Sequence, residues 1–333
     1  MSTVYLSRRL ERRAFMQLIS GIGALMTLPA TAHAPHSLHS GPLRVHTRVI
    51  PCSGEPIPAL GMGSWRTFDI AGSGNAAVRA DELRTVLQIF FAKGGALIDT
   101  SPMYGTSEQV IGELLRPGVH AVIGRERAFA ATKVWTIGEA AGRGQMEQSF
   151  APWRAGGDSF PGNACFDLMQ IHNMMDWQTH LKTLKAWKAD GHIRYIGITT
   201  SHGWRQNELE LGMKHERFDF VQFTYNLADR AAELRLLPLA MDRGAVVIIN
   251  RPFDGGGIFQ QIRGKPMSAW ATGLGCKTWA DYFLKFIVSH PAVTCAIPAT
   301  SQAAHMAENM NALVGELPDA AMRRQMAEHW DRR

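Results

Sequence analysis

Cysteine is scarce in this chain, with four in 333 residues. Cys52, Cys165, Cys276 and Cys295 show neither C-x-x-C nor any metal-ligand spacing, so neither a zinc module nor a dithiol redox motif is indicated. Cys165 and Cys295 fall in or beside apolar, strand-like runs, where a thiol behaves as a small hydrophobe. An excess of charge is also missing. The formal net charge is +6, and Arg8, Arg9, Arg12 and Arg13 against Glu11 contribute half of it before residue 34. The remainder is nearly balanced, which argues against nucleic acid as a partner. The dinucleotide fingerprint G-x-G-x-x-G is absent after the first strand candidate, because "GMGSWR" lacks its third glycine. No low-complexity linker divides the chain.

The N-terminal segment reads as an address rather than as fold. In "SRRLERRAFMQLISGIGALMTLPATAHA" an arginine-rich start leads into an apolar stretch from Leu18 to Leu28, then small residues. Those 11 residues fall well short of the ~20 that a bilayer-spanning helix needs, so stable membrane insertion is not expected. "RRAFMQ" resembles a twin-arginine signal, with Arg12 and Arg13 as the pair and Phe15 two residues beyond. Met16 replaces the usual Leu, and Glu11 the usual Ser or Thr. The expectation is a signal peptide over residues 1–34, cleaved near 32–34. The twin-arginine machinery would then be a partner and the destination periplasmic or otherwise exported. The alternatives are an uncleaved anchor or a basic tail.

Residues 45–333 read as one domain. "TRVIPCSGEPIPALGMGSW" suggests a β-hairpin followed by a first strand. Eight short apolar runs recur between stretches of helical spacing: Ala59 to Trp65, Ala96 to Thr100, Phe129 to Trp135, Phe166 to His172, Tyr195 to Ser201, Phe218 to Tyr225, Ala245 to Asn250 and Val293 to Pro298. Leu83, Val86, Leu87 and Phe90 form one helical stripe, and Trp279, Tyr282, Phe283 and Phe286 another. Gly94 with Gly95, Gly191 and Gly244 stand where helices stop. Alternation repeated eight times predicts a (β/α)8 TIM barrel with an N-terminal β-hairpin, an open doubly wound sheet being the alternative.

In such a barrel, polar residues that end apolar runs converge on one face. Asp99 ends the second run, Lys133 stands near the end of the third, His172 ends the fourth, and Tyr104 follows Asp99 by five. Singly, these residues read as a helix cap, a solvated charge and a structural imidazole. Together they suggest a proton-transfer site. A Lys133 ammonium at ~4 Å from the Tyr104 hydroxyl would favour the phenolate by about 4 kcal/mol at an effective dielectric of ~20, bounding the fall in its pKa at roughly three units. Asp99 would hold Lys133, and a neutral His172 could orient a substrate oxygen. Such a set suits carbonyl reduction.

"LIDTSPMYG", "ATKVW" and "LMQIHN", in this order, make the chain similar to the aldo/keto reductase superfamily from Arg48 to near Asn311. The resemblance implies a (β/α)8 barrel that uses NADPH or NADH to interconvert a small-molecule aldehyde or ketone and its alcohol. Its tetrad falls on Asp99, Tyr104, Lys133 and His172. Thr199 and Thr200 occupy the positions of the Ser and Asn that hold the nicotinamide carboxamide, and Gln222 matches its Gln. Asn250 stands where members often stack an aromatic ring. Arg251, Pro252 and Phe253 open a glycine-rich loop assigned to the cofactor. Thr300, Ser301, Glu308 and Asn309 correspond to the adenine end.

The Lys and Arg that commonly bind the 2′-phosphate are here Ala299 and His305. This leaves open NADH, a less strict NADPH site, or a cation supplied by Arg251, Arg263 or Lys265. Trp65 and Trp135 match aromatics around the substrate. The stretch after Lys133 is more glycine-rich and less regular than the family's third helix. Two other function classes remain: a nicotinamide-binding sensor with little turnover, and a Schiff-base lyase using Lys133.

Overall fold

The structure is a computed structural model, and it describes residues 45–116, 128–154, 166–267 and 269–332. The expected signal peptide and Cys165 lie outside the described residues. Among the described residues no helix is long and apolar enough to cross a membrane.

Strands β1 (Thr47–Val49) and β2 (Pro56–Pro58) pair antiparallel as the expected hairpin. Eight parallel strands follow: β3 (Met62–Gly63), β4 (Leu97–Asp99), β5 (Phe129–Val134), β6 (Phe166–Ile171), β7 (Ile193–Thr199), β8 (Phe220–Thr224), β9 (Val246–Asn250) and β10 (Cys295–Ala296). Each pairs with the next. Parallel bridges Leu60↔Ala296 and Gly63↔Ala299 join the first to the last, so the sheet closes into the barrel. The first and last strands are shorter than the runs that announce them, because residues flanking them make only these single bridges.

Between the strands lie α1 (Ala76–Ala92), α2 (Ser107–Leu114), α3 (Glu139–Arg154), α4 (Trp177–Ala189), α5 (Gln206–His215) and α6 (Leu236–Arg243). The β9–β10 connection carries α7 (Gly257–Gln261), α8 (Ala269–Gly273) and α9 (Trp279–Val288). After β10 come α10 (Ala303–Asn309) and α11 (Ala320–Asp331). Both predicted stripes are buried on α1 and α9 except Trp279, which is half-buried and packs against the same core. Gly94, Gly191 and Gly244 carry positive φ at the ends of α1, α4 and α6. Within the glycine-rich stretch after Lys133, Glu139–Arg154 form the helix α3, and residues 155–163 lie outside the described residues. Gly142 of α3 is small because the His180 ring lies against it, where a Cβ would stand 2.5 Å from the imidazole Cε1.

Two apolar cores result from the period-2 alternation of strand side chains. Residues facing outward pack under the helices. Those facing inward, including Leu97, Phe129, Leu168, Tyr195, Phe220, Val246 and Cys295, fill the lumen together with Ile50 and Ile57 of the hairpin segment. Further along the same inward rows the residues turn polar: Asp99 after Leu97, Lys133 after Ala131, Gln170 after Leu168, Gln222 after Phe220, Asn250 after Ile248. The lumen is therefore apolar towards the strand N-termini and polar at their C-terminal ends.

Closure requires close approach. A Cβ on Gly61 would stand 2.8 Å from the Leu97 carbonyl oxygen and 3.1 Å from Cys295 Sγ. Gly61→Ala is expected to destabilise the barrel by about 1–3 kcal/mol through overpacking. In chemical denaturation Gly72→Ala, where a Cβ meets nothing within 4 Å, should change stability by less than about 0.5 kcal/mol.

Candidate active site

At the C-terminal end of the barrel a cavity of about 740 Å³ opens among the strand ends and loops. Behind its wall lies a buried ion pair. Lys133 on β5 is fully buried, and its Nζ donates to Asp99 Oδ2 on β4 at 2.5 Å and to the Thr100 carbonyl at 2.7 Å. The other carboxylate oxygen, Oδ1, accepts from Gln170 Nε2 at 2.8 Å and Gln222 Nε2 at 3.1 Å. Asp99 thus receives three donors, from β5, β6 and β8. Such saturation is what lets a buried charge pair persist. Burial alone would depress the Lys133 pKa, yet Asp99 and Tyr104 together carry it above the ordinary lysine value, so the amine is an ammonium.

Tyr104 stands in the turn before α2, where Gly105 has φ +59° and a Cβ would collide with the Asp69 carboxylate. Lys133 Nζ lies 5.1 Å from the centre of its ring, and the His172 ring meets it edge-on with centroids 5.9 Å apart. The expected fall in the phenol's pKa is not found. Desolvation raises it, and although Lys133 pulls it down, burial assisted by the Asp99 charge prevails. Tyr104 therefore keeps its proton at physiological pH. His172 goes the other way: desolvation, reinforced by the Lys133 ammonium, lowers its pKa to about 3, so the imidazole is neutral. Its Nδ1 lies 3.3 Å from Ser101 Oγ.

Asp99, Tyr104 and His172 line the cavity, and Lys133 reaches them from behind. Of the remaining predicted residues, Trp65, Thr199, Gln222, Asn250, Arg251, Pro252, Phe253, Thr300, Glu308 and Asn309 also line it. Trp135, Thr200 and Ser301 do not. Trp135 follows the end of β5, and its backbone N–H and carbonyl are both held by the Gln145 side chain, at 2.6 and 3.2 Å, which anchors it to α3. The Thr200 hydroxyl donates to the Trp204 carbonyl and is turned into its own loop. Ser301 precedes α10 and faces away from the cavity, while its neighbour Thr300 accepts the Gln302 N–H at 3.1 Å.

The amides expected at the nicotinamide end are also less free than their residue types suggest. Gln222 gives its N–H₂ to Asp99 and Gln170, and its carbonyl accepts from Asn250 Nδ2 at 3.3 Å. Asn250 is knitted to Thr224 and to the Thr200 carbonyl. Thr199 Oγ1 accepts the Asn173 N–H at 3.0 Å. Of the three candidate cations, Arg251 lines the cavity, ion-paired with Asp254 at 2.8 Å; Arg263 and Lys265 do not line it.

Sequence reasoning missed Gln170, although its place two before His172 turns it inward on the same strand. It fits because Gly197 on β7 leaves room: a Cβ there would stand 2.7 Å from Gln170 Cγ. Met103, Phe259 and Trp279, which supply apolar wall, were also missed: Met103 lies on a loop, Phe259 in the short α7, and Trp279 belongs to a stripe that reads as core.

A family model, the aldo/keto reductase family, matches residues 59–330. The NADH-specific methylglyoxal reductase of Escherichia coli K12 is 27% identical over 227 residues, which cover 59% of this chain and 64% of that protein. An uncharacterized oxidoreductase, YrpG, of Bacillus subtilis 168 is 26% identical over 206 residues, covering 56% and 62%. The match thus spans less than two thirds of each of these curated relatives. Among solved structures, an aldo/keto reductase from Klebsiella pneumoniae in complex with NADP and acetate superposes with a TM-score of 0.68 at 22% identity, covering 85% of this chain and 94% of that one. The holo form of an aldo-keto reductase from Bacillus halodurans gives 0.63 at 18% identity, covering 85% and 96%. Both share the fold.

Because all three groups that meet Asp99 are donors, an amide in its place must turn an N–H₂ towards one of them. Asp99→Asn is expected to cost about 3–5 kcal/mol in chemical denaturation, since it also strands a buried ammonium.

Proposed function

This chain belongs to the aldo/keto reductase family, and we propose that it is an NAD(P)H-dependent reductase of aldehydes or ketones with Tyr104 as its acid-base group. The observation that carries the reading is the fully buried Lys133 ammonium, paired with Asp99 at 2.5 Å and set 5.1 Å from the Tyr104 ring centre at the wall of the cavity.

The donor set fits a nicotinamide nucleotide. The cavity wall runs from Asp99, Tyr104 and His172 past Thr199, Gln222 and Asn250 to Arg251 and the glycines at 255 and 256, and on to Thr300 and Asn309. Arg251 supplies a cation for phosphate, and Gly255 and Gly256, with φ of +62° and +96°, shape the backbone beside it. When bound, the reduced nicotinamide would supply the hydride that adds to the carbonyl carbon. Tyr104 delivers the proton to the carbonyl oxygen. Lys133 stabilises the phenolate left behind, and Asp99 keeps Lys133 charged and in place. His172, being neutral, orients the oxygen by a hydrogen bond without competing as an acid. In alcohol oxidation the same proton returns to Tyr104. Trp65, Met103, Phe259 and Trp279 give the cavity an apolar wall, suited to an apolar or aromatic carbonyl compound.

The Arg12–Arg13 segment supports a second part of the proposal, that the protein is exported by a twin-arginine route. That route carries folded proteins, so the nucleotide would be captured before crossing.

Tyr104→Phe is expected to lower carbonyl reduction by about 10²–10⁴-fold while cofactor affinity, read by fluorescence titration, stays within about twofold. Full activity in that variant would end the assignment. Replacing Arg12 and Arg13 together by Lys should retain the protein in the cytoplasm on cell fractionation; unchanged export would remove the twin-arginine reading.

A further inference from the structure

Ser101 lies two residues beyond Asp99, is fully buried, and does not line the cavity. Its Oγ lies 3.3 Å from His172 Nδ1 and accepts the Met103 backbone N–H, also at 3.3 Å. A hydroxyl has one proton and two lone pairs, and Met103 uses one lone pair. Two arrangements towards the imidazole are then available. If Ser101 donates to an unprotonated Nδ1, every polar atom in the group is satisfied. If instead Nδ1 carries the proton and donates to Ser101, the serine proton has no acceptor among the described residues. It would then be orphaned where water does not reach, the costlier case.

The other ring nitrogen is placed differently. His172 lines the cavity, and Nε2 has no protein partner among the described residues. Nor does it belong to the sealed, unpartnered polar atoms, so it is accessible from the cavity. Which nitrogen of a histidine bears the proton is set by the bond that the other nitrogen makes.

We propose that Ser101 is a positioning residue whose hydroxyl, held by the Met103 N–H and donating to His172 Nδ1, locks the imidazole in the Nε2–H tautomer. The ring then presents a donor to the cavity. In the opposite tautomer it would turn a lone pair towards a carbonyl oxygen and repel it. This rests on the reading of His172 as the group that orients the substrate oxygen. Ser101 itself touches neither substrate nor cofactor.

The test is long-range ¹H–¹⁵N spectroscopy of the full-length protein with labelled histidine, near neutral pH, with the His172 signals assigned by their loss in His172→Gln. The expected wild-type pattern is an unprotonated Nδ1 and a protonated Nε2. In Ser101→Ala both tautomers should be populated, with kcat for carbonyl reduction about three- to tenfold lower and cofactor Kd unchanged within about twofold. Ser101→Thr, which keeps the hydroxyl, should hold the wild-type pattern. A protonated Nδ1 in the wild type, or an unchanged His172 spectrum in Ser101→Ala, would overturn the proposal. The wild-type tautomer is decided whether or not Ser101→Ala folds. If the wild type reduces no carbonyl compound, the functional reading falls, and the spectrum still decides the tautomer.

Discussion

A charge pair sealed inside the barrel governs the candidate site. Lys133 and Asp99 face each other at 2.5 Å on adjacent strands, both buried, and the desolvation of each is offset by the other and by the Thr100 carbonyl, Gln170 and Gln222. The same field acts on the neighbours. Lys133 keeps Tyr104 from rising as far as burial alone would take it, and it adds to the desolvation that holds His172 neutral. Burial thus sets the protonation state of the groups on either side, and the ion pair modulates it.

The barrel supplies the enclosure in which this interaction is strong. Inward-facing rows begin with apolar side chains that the hairpin seals and end in polar ones, so the low-dielectric packing of the lumen lies directly beneath the ion pair. Small residues make the convergence sterically feasible. Gly61 and Gly63 let the first strand approach its neighbours on both sides, and Gly197 leaves space for Gln170 to cross to Asp99.

Residues on strands were the ones most legible in advance. Asp99 and Lys133, and His172 just past the end of β6, could be found because the end of an apolar run is marked by the change to polar residues, whereas Gln222 and Asn250 came from the family resemblance. Residues on turns were less legible. Trp135 looked like cavity wall, yet its backbone is tied to Gln145; Thr200 looked like a ligand group, yet its hydroxyl closes a local turn. The reason for Gly142 in α3 was not legible either: it admits the His180 ring. In each case the deciding contact comes from a different part of the chain, or from a turn geometry that leaves no periodic signal.

By itself the sequence determined the eightfold alternation, the helical stripes and the order in which carboxylate, phenol, amine and imidazole reach the strand ends, since these follow from local periodicity and from where apolar runs stop. Tertiary structure alone decided how those groups behave. The phenol keeps its proton, the imidazole loses its charge and the amides of Gln222 and Asn250 are drawn into one another, because desolvation and hydrogen-bond partnership arise only when distant strands enclose them. Loop residues with positive φ, among them Asn173, His202 and Arg251, then line the cavity in a way no periodic pattern records.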